Sequence, residues 1–304
     1  MTYLILTLGL LGLFVGGDLL VRGASGAALR LGLSPIVIGL TIVGFGTSTP
    51  ELLVSLNAAL GGQPGIAIGN VIGSNIANSL LILGLAAVLA TVTAAFATIR
   101  RDLMWMLGAT LALPLVFWSG QVGPVEGIAL VAALLVFLVV NLRSTQKADA
   151  AVPQGPSLRI SLAFAAGGLV AVMAGAHYLV QSATIIARDF GVSEAMIGLS
   201  IVAVGTSLPE LATTVVAILR GQRDIALGNV IGSNIFNILG ILGLTALITP
   251  IPLDSRFLQI DTPFLVALTL AIIAVLFLAE RLGRMAGLVM LGAYAAYLAM
   301  TAGF

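Results

Sequence analysis

One stretch of this chain is written twice. Sliding the 304-residue sequence on itself by 159 positions aligns residues 34–84 with 193–243 without a gap, and about 31 of 51 positions are identical. Shared packing alone would keep apolar and small residues. The copies also keep Glu, Asn, Ser and Thr: GTSTPEL matches GTSLPEL, and GNVIGSNIAN matches GNVIGSNIFN. Polar groups kept at matching places mark a site built from both copies.

The surroundings of these motifs are apolar. With 60% hydrophobic and 8% charged residues and a mean hydropathy of +1.18, the chain cannot dress a water-soluble surface. A net charge of +1 supplies no basic stripe for nucleic acid, and the lack of cysteine removes disulfides, thiolate metal sites and a cysteine nucleophile. A hydrocarbon core of about 30 Å takes roughly 20 apolar residues per helix. Cutting the sequence at its charges and turn residues gives ten spans, near residues 2–21, 34–60, 64–90, 102–119, 124–142, 159–182, 193–219, 224–248, 262–279 and 285–303. The first has no basic residue before it and is followed by Arg22, so it reads as a retained helix rather than a cleaved signal.

Five spans per copy is an odd number, so the second copy enters the membrane from the opposite face. The expected fold is an all-α polytopic membrane protein of ten transmembrane helices, as two inverted five-helix repeats with interrupted central helices. The repeats cover residues 1–142 and 159–304, joined by a short cytoplasmic linker, 143–158. About eleven of the thirteen basic residues fall in alternate connections, among them Arg22, Arg30, Arg100, Arg101, Lys147, Arg220 and Arg281; Arg188 and Arg256 fall opposite. By the positive-inside rule this puts those connections in the cytoplasm and both termini outside.

The motifs carry the chemistry. Proline lacks an N–H and crowds the carbonyl four residues back, so Pro50 frees Gly46, Pro209 frees Gly205, and each helix should break there. Several carbonyls between Gly44 and Thr49, and between Ala203 and Leu208, should then lack intrahelical partners. Glu51 and Glu210 follow these breaks deep in their spans, where an ionised carboxylate is costly without a counter-charge. No Lys or Arg lies at comparable depth, so a mobile cation is the natural partner. Two carboxylates with hydroxyls and carbonyls form an all-oxygen cluster suited to hard ions such as calcium, magnesium or sodium. Ser74 and Asn78, and likewise Ser233 and Asn237, lie four apart on one helical face and add neutral oxygens.

Other polar residues have plainer readings. Asn70 and Asn229 lie off that face and should cap or bridge helices. The glycines at 69, 73, 228 and 232 read as close-packing positions. Asp18, four before Arg22, reads as an interfacial ion pair; His177 aligns with Asp18 at the same offset and invites a proton-sensing role. Asp102, Asp261, Asp224, Glu126, Asp254 and Glu280 read as solvated caps at span ends.

GTS-PEL followed by GN-IGSNI-N, twice and in opposed halves, resembles the cation/calcium antiporter superfamily, in its sodium/calcium exchanger branch. The resemblance spans nearly the whole chain. It implies a membrane antiporter exchanging calcium for sodium by alternating access, with the first and sixth helices sliding across a central group of interrupted helices. It implies Glu51 and Glu210 as shared calcium and sodium ligands, Thr47, Ser48, Thr206 and Ser207 as hydroxyl and carbonyl ligands, Gly44 and Ala203 as carbonyl positions, and Ser74, Asn78, Ser233 and Asn237 as flanking ligands. The potassium-dependent branch, and some prokaryotic members, carry aspartate where this chain has Asn237, which argues against potassium cotransport. No enzyme activity or cofactor is expected beyond the transported Ca2+ and Na+, and a single chain in the cell's plasma membrane should suffice. The alternatives are a calcium/proton antiporter and a cation channel.

Overall fold

The computed structural model describes residues 1–143, 156–191 and 203–302. These residues are almost entirely helical, as the absence of water in a bilayer demands of any chain that crosses it. We number the helices α1 (Thr2–Leu31), α2 (Pro35–Thr47), α3 (Thr49–Leu60), α4 (Pro64–Leu89), α5 (Phe96–Val116), α6 (Pro124–Arg143), α7 (Leu158–Asp189), α8 (Ala203–Gly205), α9 (Leu208–Leu219), α10 (Arg223–Ile248), α11 (Phe257–Ala279) and α12 (Arg284–Ala302). Among the described residues seven helices are long and apolar enough to cross a membrane, or eight when α2 and α3 count as one bent span. The remaining two expected spans are α5, whose first turns carry Arg100, Arg101 and Asp102, and 193–219, which begins outside the described residues.

Burial separates the centre from the periphery. The most apolar windows of α4 and α10 are each 78% buried, against 33% for α1 and 28% for α7. The repeated motifs therefore occupy the interior, and the peripheral helices turn apolar faces outward. One continuous buried cluster joins both halves, from Leu20 and Ile38 to Ile235 and Leu276. The halves do not fold apart. The end of α4 packs on α12, where a Cβ on Gly287 would lie 2.5 Å from the Gly84 carbonyl, while α10 packs on α6, where a Cβ on Gly127 would lie 2.8 Å from the Gly243 carbonyl. Gly84 and Gly243 are equivalent at the 159-residue offset, so each copy completes its packing with a helix from the other.

Short strands repeat this exchange. β1 (Val92–Thr93) pairs antiparallel with β4 (Arg281–Leu282), and β2 (Gln121–Val122) pairs with β3 (Ile251–Pro252). β1 and β3 are equivalent at the offset, yet β3 and β4 lie at opposite ends of α11. The two equivalents are thus found at opposite ends of the bundle.

Helices α1 and α7 run well past the expected 2–21 and 159–182, reaching 30 and 32 residues, about 45 Å or more at helical rise. Cutting at Arg22 shortened the first; the helix continues through Arg22 to a left-handed cap at Gly32, φ 65°. The two run antiparallel in contact along a glycine seam. A Cβ on Gly16 would stand 2.6 Å from the Val172 nitrogen, and one on Gly9 would stand 2.8 Å from that of Leu179. The same spacing brings Gly23 against Ala165, and Gly168 against Leu20.

Candidate cation-binding site

The proline breaks fall where expected. Ser48, with φ −83° and ψ 7°, interrupts the passage from α2 to α3, and the axes bend by 43°. Its counterpart Ser207 has φ −87° and ψ 5°. Pro50 and Pro209 then occupy the first turns of α3 and α9, where no intrahelical N–H is needed and proline's fixed φ suits the helix. Glu51 and Glu210 sit in those same first turns, where the positive end of the helix dipole favours a carboxylate.

Both carboxylates are only 1% exposed. Each is bound across the repeat boundary: the Ser48 hydroxyl donates to Glu210 Oε1 at 2.7 Å, and the Ser207 hydroxyl donates to Glu51 Oε1 at 3.2 Å. Thr47 instead donates to the Val43 carbonyl at 3.0 Å, and Ser233 to the Gly44 carbonyl at 3.2 Å. The second carboxylate oxygens, Glu51 Oε2 and Glu210 Oε2, are buried with no hydrogen-bond partner among the described residues. So are Asn78 Oδ1 and both amide atoms of Asn237, two side chains at equivalent positions on α4 and α10. Buried polar atoms are normally paired, since leaving one unpaired costs about 1–3 kcal/mol. Four acceptor oxygens in want of donors, two of them on carboxylates, suit a bound cation.

The helices loosen at these positions. The π-helical turn Asn78–Ile82 begins at Asn78, and another, Phe236–Leu242, contains Asn237. Such turns shift side chains off the regular helical face and are frequent at functional sites. Asn78 Nδ2 donates to Asn234 Oδ1 at 3.2 Å, and Asn234 in turn donates to Ser79.

Ser74 and Ser233 are buried on α4 and α10. The Gly44 carbonyl, expected to be unpartnered, accepts from the Ser48 N–H, from the Thr47 hydroxyl and from the Ser233 hydroxyl at 3.2 Å. Hydroxyls thus meet much of what the break releases. Ala203 opens α8. Thr206 lines a cavity of about 270 Å3 shared with Pro50, Pro209, Gln181 and His177, so this cavity reaches the site from the α7 side. His177 is exposed and stacks edge-on with Tyr178. Among the described residues no group of three or more His, Cys, Asp or Glu side chains could hold a metal ion.

Sequence reasoning assigned Asn70 and Asn229 only a general bridging part; the structure specifies it. Asn70 Nδ2 donates to the Glu51 carbonyl at 3.0 Å and to the Ser55 hydroxyl at 2.9 Å. Asn229 Nδ2 donates to the Glu210 carbonyl at 3.3 Å and to the Thr214 hydroxyl at 2.9 Å. Each amide therefore fastens a glutamate-bearing half-helix to its neighbour. Ser55 and Thr214 are equivalent at the offset, a signal available from the repeat. Gly228 and Gly232 do pack closely, against Gly39 and Leu40 of α2, whereas no described residue comes within 4 Å of a Cβ placed on Gly73.

Two readings need correction. Asp102 and Asp261, taken as solvated caps, are 1% and 2% exposed. Asp102 pairs with Arg101, which also reaches Asn141 at 2.7 Å, and Asp261 pairs with Arg256 and accepts from Tyr297 at 3.1 Å. Asp18 does pair with Arg22 at 2.9 Å, but also with Arg220. Glu126, Asp254 and Glu280 cap as expected, accepting from the backbone N–H groups of Gly123, Arg256 and Phe96.

The profile of the family described as sodium/calcium exchanger protein matches residues 1–143 and again 160–303. The chain belongs to that family. It is 34% identical to the sodium/calcium exchanger MaX1 of Methanosarcina acetivorans, with 97% of each chain covered, and 37% identical to the inner membrane protein YrbG of Escherichia coli, with 97% of this chain and 95% of the other covered. It superposes on the structure of the sodium-calcium exchanger NCX_Mj soaked with zero Na+ and Ca2+, with a TM-score of 0.88 and 31% identity, covering 99% of this chain and 98% of the other. The chain is therefore a membrane protein of a cation/calcium antiporter family, whose members are transporters.

Proposed function

We propose that the chain exchanges calcium for sodium across the membrane by alternating access, as ten transmembrane helices in two inverted five-helix repeats, 1–142 and 159–304. The observation that carries the ion site is the set of unpartnered buried oxygens, Glu51 Oε2, Glu210 Oε2, Asn78 Oδ1 and Asn237 Oδ1, around two glutamates from opposite copies. Two carboxylates balance one divalent ion, or sodium ions spread over adjacent pockets among Thr47, Ser48, Ser74, Thr206, Ser207, Ser233 and the carbonyls of Gly44 and Ala203. Emptied, the site holds two buried negative charges, which resist enclosure in a low-dielectric interior. Switching is then confined to loaded states, and exchange becomes obligatory.

The inverted arrangement is supported by the crossed strand pairs, which bring equivalent segments to opposite ends of the bundle. Basic residues gather at one end: Asp18 joins Arg22 to Arg220, Arg30 bonds the Pro156 carbonyl, and Arg223 bonds Thr93 of β1, which pairs with Arg281. This favours that end as cytoplasmic, with both termini outside a plasma membrane. The relatives named sodium/calcium exchangers support sodium as the counter-ion, and Asn237 in place of a carboxylate gives potassium no extra charge.

The test is radiolabelled calcium uptake into proteoliposomes under sodium, potassium and proton gradients imposed one at a time. A sodium gradient at fixed pH should drive uptake. Uptake driven by protons without sodium would replace the counter-ion, and calcium flux with no counter-ion would overturn exchange itself.

A further inference from the structure

Away from the glutamates, a cavity of about 430 Å3 opens where α1, the start of α7 and the turn between α9 and α10 meet. Its polar lining comprises Arg22, Arg30, Arg220, Ser25, Ser161 and Gln222. Three guanidiniums gather here, with the Asp18 carboxylate behind them meeting Nε of Arg22 and of Arg220, so the cavity keeps a positive balance. The hydroxyl oxygens of Ser25 and Ser161 are buried and have no hydrogen-bond partner among the described residues, and Ser161 is only 1% exposed.

Guanidiniums and unsatisfied hydroxyls together are the donor set of a phosphate site, since arginine meets phosphate oxygens with two parallel charge-assisted bonds and each serine adds one more donor. The rim is apolar. Leu29 and Phe164 line the same cavity and are exposed, and beyond them lie the exposed Leu31, Ile160 and Leu162 on the outer faces of α1 and α7. A phosphate held inside would have its substituents directed along hydrocarbon rather than into water. Basic pockets between transmembrane helices take lipid headgroups on this principle.

We propose that this cavity binds the phosphate headgroup of an anionic phospholipid, through Arg22, Arg220, Ser25 and Ser161, with the acyl chains along Leu29 and Phe164. The bound lipid joins three elements, α1, α7 and the α9–α10 turn, and so clamps the peripheral helix pair to the central group. The proposal does not rest on the exchange reading.

The test is thermal unfolding of the purified full chain in phosphatidylcholine, with phosphatidylglycerol or inorganic phosphate added. Phosphatidylglycerol should raise Tm by several degrees, and inorganic phosphate should not. Ser161→Ala separates binding from folding: removing a buried, unpaired hydroxyl should leave the Tm in phosphatidylcholine alone unchanged or higher, while the phosphatidylglycerol increment falls by about half or more. Arg22→Gln should reduce the increment further. No increment over phosphatidylcholine, or the same increment in the wild type and both variants, would overturn the site. An equal increment from inorganic phosphate would overturn the lipid as its ligand.

Discussion

Glu51 and Glu210 each engage one oxygen with a serine from the opposite copy and leave the other without a hydrogen-bond partner among the described residues. Replacing Glu210 by Gln keeps the shape and removes one of two charges. We expect ion affinity to fall by about 2–5 kcal/mol, as when one member of a buried charge pair is lost, read as loss of calcium-dependent flux in proteoliposomes. Asn229→Ala belongs to a different class. It should leave the Thr214 hydroxyl and the Glu210 carbonyl without their donor and lower stability by about 1–3 kcal/mol, measured as thermal unfolding before any ion is added. The glutamates, serines and asparagines were legible in sequence because duplication printed them twice in an apolar setting. Asp102 and Asp261 were misread because cutting a span at its charges assigns every such charge to a boundary. Asn141, which bonds Arg101, and Tyr297, which bonds Asp261, lie 40 and 36 residues from those partners, a proximity that local spacing does not carry. The second partner of Asp18, Arg220, was hidden for the same reason.

The central helices are broken, and the long pair α1 and α7 is not. α2 and α3 part at Ser48, and α4 and α10 widen into π turns at Asn78 and around Asn237, whereas α1 and α7 continue unbroken for 30 and 32 residues. Proline announced the first kind of break; the π turns have no comparable signature. Glycine spacing on α1 was open to reading, since Gly9, Gly16 and Gly23 recur every seventh residue, but its partner surface on α7 is a tertiary fact. Gly16→Leu should force α1 from α7, because even a Cβ there would come within 2.6 Å of the Val172 nitrogen. Overpacking of this kind costs about 1–3 kcal/mol or more, visible as a lower Tm and yield. Gly12→Ala, whose Cβ would stand 3.3 Å from Gly175, should be milder.

The strand pairs give the assembled bundle a labelled geometry. The chain has no native cysteine, so single cysteines can be introduced without background. Thr93→Cys and Gln222→Cys should react with a membrane-impermeant maleimide from one side, and Gln121→Cys and Asp254→Cys from the other; labelling of Thr93 and Gln121 from the same side would overturn the inverted arrangement. Crossed packing also has a consequence for how the protein is made. Gly84 meets Gly287, and Val92 pairs with Leu282, so the first copy leaves the ribosome about two hundred residues before the surfaces that cover it. At roughly 5–20 residues per second that interval is tens of seconds at the slow end. Glu51 and Asn78 are likewise made 156 residues before the Ser207 and Asn234 that meet them, so the first half is the one that stands incomplete while the chain is being finished.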